Sequence, residues 1–234
     1  MLQDYARRFS MTLTNRKFQD ARTRYKKGVK PASVNMLKRG KQNKKLGDKV
    51  SVKQWKGMTM YSLTLEERAT CPTSCKQWDV CYGNNMPFAH RFDHTDPNFE
   101  PMLRAQLECL SLKHPAGFVV RLHVLGDFYD HKYVNFWQKM LMEFPNMNAF
   151  GYTHWPYKSQ IGSAIGKLNN LYPDRWRIRY SDEDQDVTDF IALVEHEPRT
   201  TNHVICPEQQ GKTPSCADCG YCWSSEKPIL FIEH

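Results

Sequence analysis

The sequence has no long apolar run. None of its hydrophobic stretches approaches the roughly 20 residues that a membrane-spanning helix needs, although hydrophobic residues make up 40% of the chain. Arg7 and Arg8 near the start are not followed by an apolar segment, so a secretory leader is not expected. We therefore expect a globular protein that stays in a reducing cytoplasm and does not bind membranes.

Two common catalytic signatures are also missing. The chain contains no glycine-rich loop of the kind that cradles phosphates and no His-Glu-x-x-His pattern. These absences argue against the commonest nucleotide-hydrolysing enzymes and against zinc proteases. No internal repeat of 20–50 residues is visible either, so a solenoid is not expected. The 234 residues are enough for one full hydrophobic core.

Cysteine, in contrast, is plentiful, and three of the eight cysteines fall close together. Cys71, Cys75 and Cys81 are separated by three and then five residues, so one loop can wrap a single metal centre with thiolate ligands. Three ligands are an incomplete set, because structural zinc and closed iron–sulfur clusters usually take four. Either the metal keeps an open position, or a fourth ligand such as Asp79, His90 or His94 completes the site.

A second cysteine group lies near the end of the chain, at Cys206, Cys216, Cys219 and Cys222. A long reach followed by two overlapping Cys-x-x-Cys steps can supply four thiolates to one centre. The tight spacing favours a 4Fe-4S cluster, and zinc remains the alternative. Cys109 stands alone on a predicted helix and is expected to be a small buried residue.

The charge is unevenly distributed. Residues 1–50 contain 15 Lys and Arg against 3 Asp and Glu, whereas the remainder is mildly acidic. This asymmetry predicts a basic arm over 1–49, with two short helices, the second over 33–40. Such an arm is typical of contacts with the phosphate backbone of DNA or RNA, and a solvated tail is the alternative.

Strand and helix patterns alternate after the arm. Strands are predicted over 58–65, 117–125, 148–154 and 175–180, and helices over 99–113, 132–144 and 160–171. Shorter strands are expected at 203–205 and 228–232, and a short helix or loop over 186–196. This order predicts an α/β fold with parallel strands, arranged in an open sheet or a partial (βα) barrel. We divide the chain into the arm (1–49), the partial barrel (50–200) and a C-terminal cysteine-rich metal-binding segment (201–234).

Polar residues follow each predicted parallel strand. In parallel βα architectures, binding sites gather at the carboxyl ends of the strands. The three-cysteine loop follows the first strand, and we expect a shared cofactor site that also includes the residues at the next three strand ends: Gly126, Asp127, His154, Ser181 and Asp182. His123, inside a strand, is expected to be a hydrogen-bonded core residue. For Asp127, the alternative is a capping role for the next helix.

Several segments together resemble the phage "gene product eighty-eight" domain family over roughly residues 40–225. The segments that carry the resemblance are Gln42-Asn43-Lys44-Lys45-Leu46-Gly47, Thr70-Cys71-Pro72, Val120-Arg121-Leu122-His123-Val124-Leu125-Gly126-Asp127-Phe128, Tyr152-Thr153, Ile205-Cys206-Pro207 and Cys216 through Trp223. The resemblance implies a phage or plasmid origin, hence the cytoplasm of a host cell, and implies no particular activity.

The three-cysteine loop after a first strand is also similar to that of radical S-adenosylmethionine enzymes, which are partial (βα) barrels. This resemblance implies that Cys71, Cys75 and Cys81 bind a 4Fe-4S cluster with one open iron. It places Gly126-Asp127 near the amine of S-adenosylmethionine and Ser181 or Asp182 near its ribose. The spacing departs from the family pattern, which has three and then two residues between the cysteines.

These observations predict an iron–sulfur enzyme of the radical S-adenosylmethionine type that acts on nucleic acid bound by residues 1–50. The alternative is a non-catalytic protein in which zinc or closed clusters staple the fold and the arm binds nucleic acid or a host protein. The sequence does not indicate the substrate or the oligomeric state.

Overall fold

The computed structural model describes residues 22–181, 192–195 and 203–232, and for 193–195 it describes the backbone alone. Its main element is a five-stranded sheet in the order β2-β3-β5-β6-β7. The strands are β2 (Lys38–Arg39), β3 (Thr59–Ser62), β5 (Phe118–Leu122), β6 (Met147–Thr153) and β7 (Trp176–Tyr180). The last four are mutually parallel, and β2 joins β3 antiparallel.

Three long helices connect the parallel strands: α1 (Phe99–Lys113), α2 (His131–Glu143) and α3 (Gln160–Leu171). They pack on one face of the sheet, because their apolar stripes and alternate strand residues such as Val120, Ala149 and Ile178 form one core cluster. Strands that follow chain order with right-handed crossovers place all their helices on the same side. The prediction of an α/β fold with parallel strands is thus confirmed, and among the described strands the sheet is open rather than a closed barrel.

The opposite face of the sheet carries a second core cluster. Met60, Val119 and Phe150 project from the strands toward this face and pack against Trp55 and Trp223. Trp223 lies in the C-terminal segment, which forms two short helices, α4 (Cys216–Cys219) and α5 (Tyr221–Ser224). Its ring stacks on that of Trp55 with 5.1 Å between centroids. The cysteine-rich segment is therefore the cover of this face of the sheet.

The N-terminal region differs from its prediction. The helix predicted over 33–40 is wrong, because Lys38–Arg39 form the edge strand β2, paired with Tyr61 and Ser62 of β3. Pairing satisfies backbone groups that β3 would otherwise leave open at its edge. Met36 and Leu37, just before β2, are buried in the helix-side core. Most of the other predicted basic helix lies before residue 22, outside the described residues; Lys26–Gly28 form a single 3-10 turn.

Two smaller parallel sheets complete the described topology. β1 (Val29–Lys30) pairs with β4 (Arg91–Phe92), and β10 (Ile229–Ile232) lies between β8 (Ala192–Glu195) and β9 (Val204–Ile205). The strand β8 corrects the helix or loop predicted over 186–196. Its four residues pair with the four residues of β10, which lie far along the chain, so the local sequence pattern does not indicate this strand.

Two further findings concern surfaces. Cys109 is exposed, so its predicted burial is wrong. Leu103, Leu107 and Leu110 occupy the buried stripe of α1, and helical geometry turns Cys109 away from it. Within the ranges described, none of the helices combines the length and the apolar character that a membrane crossing requires.

Candidate functional site

Asp127 joins the ends of three segments at the carboxyl edge of the sheet. Its side chain is buried, and its Oδ1 and Oδ2 accept hydrogen bonds from the backbone N–H groups of Phe128 and His154, each at 2.7 Å. Its own backbone N–H donates to Oγ1 of Thr70 at 3.1 Å. Because Thr70 directly precedes Cys71, the hydrogen bonds of Asp127 connect the three-cysteine loop to the ends of β5 and β6.

Burial changes the protonation of Asp127. Desolvation raises the pKa of its carboxyl group to about 7, and the hydrogen bonds from His154, Phe128 and Thr153 only partly oppose this rise. Near neutral pH this carboxyl group therefore exchanges between its neutral and charged forms. A titrating carboxyl group beside a cluster of thiols is typical of functional sites.

Gly126 permits the close contact between the strand end and the loop. Its φ of +81° lies in the left-handed region, which favours glycine. A Cβ at this position would lie 2.5 Å from Oγ1 of Thr70 and 2.7 Å from Cβ of Leu65. Any other residue would thus push the loop away from β5.

The three cysteines of the first group lie on a loop of successive turns. The backbone N–H of Cys75 donates to the Pro72 carbonyl at 3.0 Å, and that of Asn84 donates to the Cys81 carbonyl at 2.8 Å. Desolvation raises the pKa of the Cys71 thiol well above its ordinary value, and the charges of Asp127, Cys75 and Cys81 raise it further. Cys75 and Cys81 therefore lie near enough to Cys71 for their charges to act on it, and a bound cation would favour the thiolate form of all three.

A buried ion pair holds the segment that follows the three cysteines. Arg91 binds Glu67 through two hydrogen bonds of 2.6 and 3.0 Å, and both side chains are almost completely buried. The same guanidinium donates to the carbonyls of Gly83, Met86 and Ala89 at 2.8–3.1 Å. One buried cation thus fixes the path of the chain from residue 83 to 89. The sequence showed only a charged cluster here, with no sign of its partner.

Arg68 lies inside this loop as a second buried cation. Its Nη2 donates to the carbonyl of Trp78 at 3.2 Å and to Oδ1 of Asn84 at 2.7 Å. Among the described residues, its Nε and Nη1 have no hydrogen-bond partner. Its positive charge lowers the pKa of Cys81, although desolvation, the larger effect, leaves that pKa raised.

The second cysteine group is held against the other face of the sheet by strand residues. The Tyr152 hydroxyl of β6 donates to Sγ of Cys222 at 2.8 Å. Arg179 of β7 donates to the carbonyls of Cys222 at 2.9 Å, of Lys227 at 3.1 Å and of Ser225. These bonds connect the cysteine-rich cover to the two strands that end in Thr153 and Tyr180.

Two thiols of this group, Cys216 and Cys222, have raised pKa values to which other cysteines of the group contribute. Desolvation raises the pKa of Cys216, and the charges of Cys222 and Cys206 raise it further, while Arg121 lowers it. The pKa of Cys222 is likewise raised, first by desolvation, with added contributions from Cys206 and Cys219. The predicted members of the second group are therefore near neighbours in the fold.

None of the eight cysteines, all of which lie in the described residues, forms a disulfide. Within the described parts of the chain, no three His, Cys, Asp or Glu side chains are arranged closely enough to hold one metal ion. The metal sites at Cys71, Cys75 and Cys81 and at Cys206, Cys216, Cys219 and Cys222 thus stay predictions.

The predicted cofactor residues lie along one edge of the sheet. The backbone N–H of Ser181, which follows β7, donates to the Thr153 carbonyl at 2.7 Å. Gly126, Asp127, His154 and Ser181 therefore occupy neighbouring strand ends, as the sequence predicted, whereas Asp182 lies outside the described residues. Whether these residues bind a cofactor stays a prediction. Asp127 does not cap α2; Asp130 does, by accepting from the Lys132 N–H at 2.8 Å.

Among the histidines, His123 has the core role expected of it. It is buried, its Nε2 lies 3.1 Å from the Tyr133 hydroxyl, and desolvation lowers its pKa to about 3. His94, a candidate fourth ligand, packs against the ring of Tyr129 with 4.6 Å between centroids. His90, the other histidine considered as a ligand, is exposed.

Arg121 is a residue of the site that the sequence did not single out. It lies on β5 on the same face as Val119, and its guanidinium lies over the rings of Tyr152 at 4.5 Å and Phe150 at 5.5 Å. Its charge reaches Cys216, so it stands next to the second cysteine group. A charged residue inside an otherwise apolar strand was the available signal.

Comparison with known proteins gives one family match. A family model described as "Gene product 88" matches residues 35–225 of the chain. No curated protein and no solved structure matches significantly.

Proposed function

Because the chain belongs to the Gene product 88 family of phage gene products, we propose that it is a phage iron–sulfur enzyme of the radical S-adenosylmethionine-like type that acts on nucleic acid. The observation that carries this proposal is the junction at Asp127, which brings a loop with three thiols against the ends of β5 and β6. A soft-ligand loop at the carboxyl edge of parallel strands is the arrangement expected of a catalytic cluster site.

The sheet supports a partial-barrel interpretation of the fold. Four parallel strands follow one another in chain order, and their helices lie on one face. This is the order of neighbouring strands in a (βα) barrel. In the proposed fold, the cysteine-rich cover takes the place of the missing barrel strands.

The donor set fits an iron–sulfur cluster in its chemistry. Cys71, Cys75 and Cys81 share one loop and form no disulfide, and the charges of Cys75 and Cys81 act on Cys71. The side chains are not converged on a single point, so binding would draw them together. When bound, a 4Fe-4S cluster with an open iron would supply the electron that cleaves S-adenosylmethionine. The C-terminal cysteines would hold a second, closed cluster or zinc.

The remaining residues would orient and enclose the reactants. Asp127 is a positioning residue, because both of its oxygens already accept backbone hydrogen bonds that fix the strand ends around the loop. The Glu67–Arg91 pair holds the outer part of the loop, and Arg121 places a positive charge beside the second cysteine group. Orientation and exclusion of water are the contributions that a protein makes to cofactor chemistry.

The test is anaerobic purification followed by iron and sulfide analysis of three proteins. We expect the wild type to carry roughly seven or eight irons per chain if both sites hold four-iron clusters. Cys75→Ala should lose one cluster. Cys109→Ala is the matched control, because Cys109 is exposed and outside both groups, and its iron content should equal that of the wild type.

Addition of S-adenosylmethionine to the reduced protein should change its electron paramagnetic resonance spectrum. A wild type that contains no iron would contradict the cluster proposal. Iron that Cys75→Ala retains in full would contradict the role of the three-cysteine loop.

A second candidate is a non-catalytic nucleic-acid-binding protein stapled by zinc or closed clusters. It is favoured by the position of the C-terminal cysteines, since Cys206 and Cys222 are buried in the core cluster that covers the sheet. A spectrum that does not respond to S-adenosylmethionine, together with unfolding on chelation, would favour this candidate over the first.

A further inference from the structure

The N-terminal segment 22–30 lies directly against the chain that follows the three cysteines. The Thr23 hydroxyl donates to Glu67 at 2.6 Å, and the Tyr25 hydroxyl donates to the carbonyl of Asn84 at 2.5 Å. A Cβ on Gly28 would lie only 3.0 Å from the carbonyl oxygen of Ala89, so the two backbones are in contact there. The basic residues 26 and 27 are therefore neighbours of the segment 82–89.

That segment exposes large apolar side chains. Phe88 is 94% exposed, the highest value among the large hydrophobic residues described, and Tyr82 is 51% exposed. The surrounding backbone is fixed by Arg91 through the Gly83, Met86 and Ala89 carbonyls. Phe88 thus projects from a rigidly held segment. The Tyr82 side chain is half exposed, but its hydroxyl end is buried, since desolvation raises its pKa to about 12. Exposed aromatic surface on a fixed segment is a candidate binding surface.

The two segments that form this surface are mostly basic in sequence. Segments 22–30 and 71–90 together contain six Lys and Arg and a single acidic residue, Asp79. The exposed cations are Arg22, Arg24, Lys26, Lys27, Lys30 and Lys76. Arg22 is paired with Glu66, and the other exposed cations of segment 22–30, Arg24, Lys26, Lys27 and Lys30, can contact a phosphate backbone.

We propose that single-stranded nucleic acid binds across this surface, the basic–aromatic rim, formed by Arg24, Lys26, Lys27, Tyr82 and Phe88. The inference rests on the nucleic-acid part of the proposed function and names the form of the substrate and its place. Exposed rings stack on unpaired bases, which a duplex hides, while cations track the backbone. A strand bound here lies next to the loop that carries Cys81.

The experiment measures fluorescence anisotropy of labelled oligonucleotides with the full chain. Single-stranded DNA, single-stranded RNA and duplex DNA of one sequence are the probes. Phe88→Ala should weaken single-strand binding by roughly five- to 150-fold, and Phe88→Trp should restore it. Leu112→Ala is the matched control, because Leu112 is 80% exposed but lies on α1, and it should leave binding unchanged.

The cations are tested by a double variant, Lys26→Ala with Lys27→Ala. Loss of two phosphate contacts should reduce the slope of log affinity against log salt by about 1.4 for a single strand. Binding that is equal for duplex and single strand, or that Phe88→Ala and the double variant leave unchanged, would overturn the rim as the site. No binding of any oligonucleotide would overturn both this inference and the nucleic-acid part of the proposed function. Iron analysis of the same samples tests the cluster separately.

Discussion

Asp127 shows how one side chain can connect elements that are distant in the sequence. Its two oxygens bind the backbone of Phe128 and His154, and its own N–H binds Thr70. Burial of this carboxyl group makes its charged form costly, which is why its pKa is raised to about 7. The junction that organises the site is therefore sensitive to pH.

The pKa of Asp127 predicts a specific pH dependence of stability. Its folded-state pKa of about 7 lies above its ordinary value of 3.8, so unfolding releases a proton between these values. Its contribution to the free energy of unfolding is greatest below about pH 4 and declines as pH rises toward 7, by at most ~1.4 kcal/mol per pH unit. Asp127→Asn should lose this decline.

Two measurements check the prediction. The carbon-13 resonance of the Asp127 carboxyl group should titrate with a midpoint near 7 and be absent from Asp127→Asn. In urea unfolding, the free energy of unfolding of the wild type minus that of Asp127→Asn should be larger near pH 5 than near pH 7. A midpoint near 4 would show that the carboxyl group is hydrated rather than buried.

Gly126 provides a second test of the junction. Gly126→Ala should destabilise the protein by about 1–3 kcal/mol, because it adds both a strained backbone conformation and a clash with Thr70. Gly57→Ala is the control, since Gly57 has a similar φ of +90° but no atom within 4 Å of the added Cβ. The unfolding free energies should differ between the two variants, and equal values would mean that the contact with Thr70 is unimportant.

The shape of the three-cysteine loop depends on β4, a strand outside the proposed metal sites. Arg91 lies on β4, and its side chain binds Glu67 and three loop carbonyls. Such a pair is costly to desolvate, but it is more costly to break once buried. The short strand β4 and the loop are thus one unit.

Glu67→Gln should therefore destabilise the protein by about 3–5 kcal/mol, because the Arg91 charge would remain buried without its counter-ion. Asp48→Asn, which breaks the exposed pair with Arg39, should leave the free energy of unfolding nearly unchanged, because water screens this pair. Unfolding by urea measures both. Alkylation of Cys81 should be faster in Glu67→Gln than in Asp48→Asn. Equal rates would show that the Glu67–Arg91 ion pair does not keep the loop ordered.

Most of the basic residues of 1–50 belong to the part of the chain that the structure describes. Residues 1–21 contain only four of the 15 Lys and Arg found in residues 1–50. Thr23 binds Glu67, and Met36 and Leu37 are part of the core. The basic region from residue 22 onward is therefore built into the molecule rather than appended to it.

Two deletions test this view. Removal of residues 1–21 should leave most of the salt-sensitive binding to single-stranded oligonucleotides unchanged, because the cations of the basic–aromatic rim begin at Arg24. Removal of residues 1–40 should destabilise the protein by several kcal/mol, because it removes β2 and the buried side chains of Thr23, Met36 and Leu37. Loss of binding in the shorter deletion, with stability intact, would assign nucleic-acid binding to residues 1–21.

Local periodicity was sufficient for the central part of the fold. The apolar spacing predicted α1 and α3 with the bounds that the structure has, and the order of strands and helices predicted parallel pairing. Since parallel strands end at one edge, the neighbourhood of Gly126, Asp127, His154 and Ser181 followed as well. These features depend on contacts a few residues apart or on a general rule of chain connection.

Other features depend on partners far along the chain, and no local pattern encodes them. The two-residue strands β1, β2 and β4 form because their backbone groups are hydrogen-bonded to strands far along the chain. The Glu67–Arg91 ion pair likewise forms only once the fold brings its two residues together. The same holds for Arg121 beside Cys216 and for the cysteine-rich cover on the second face of the sheet. Burial and long-range pairing are properties of the packed chain, and hence the sequence indicated the thiols while tertiary contacts determined their surroundings.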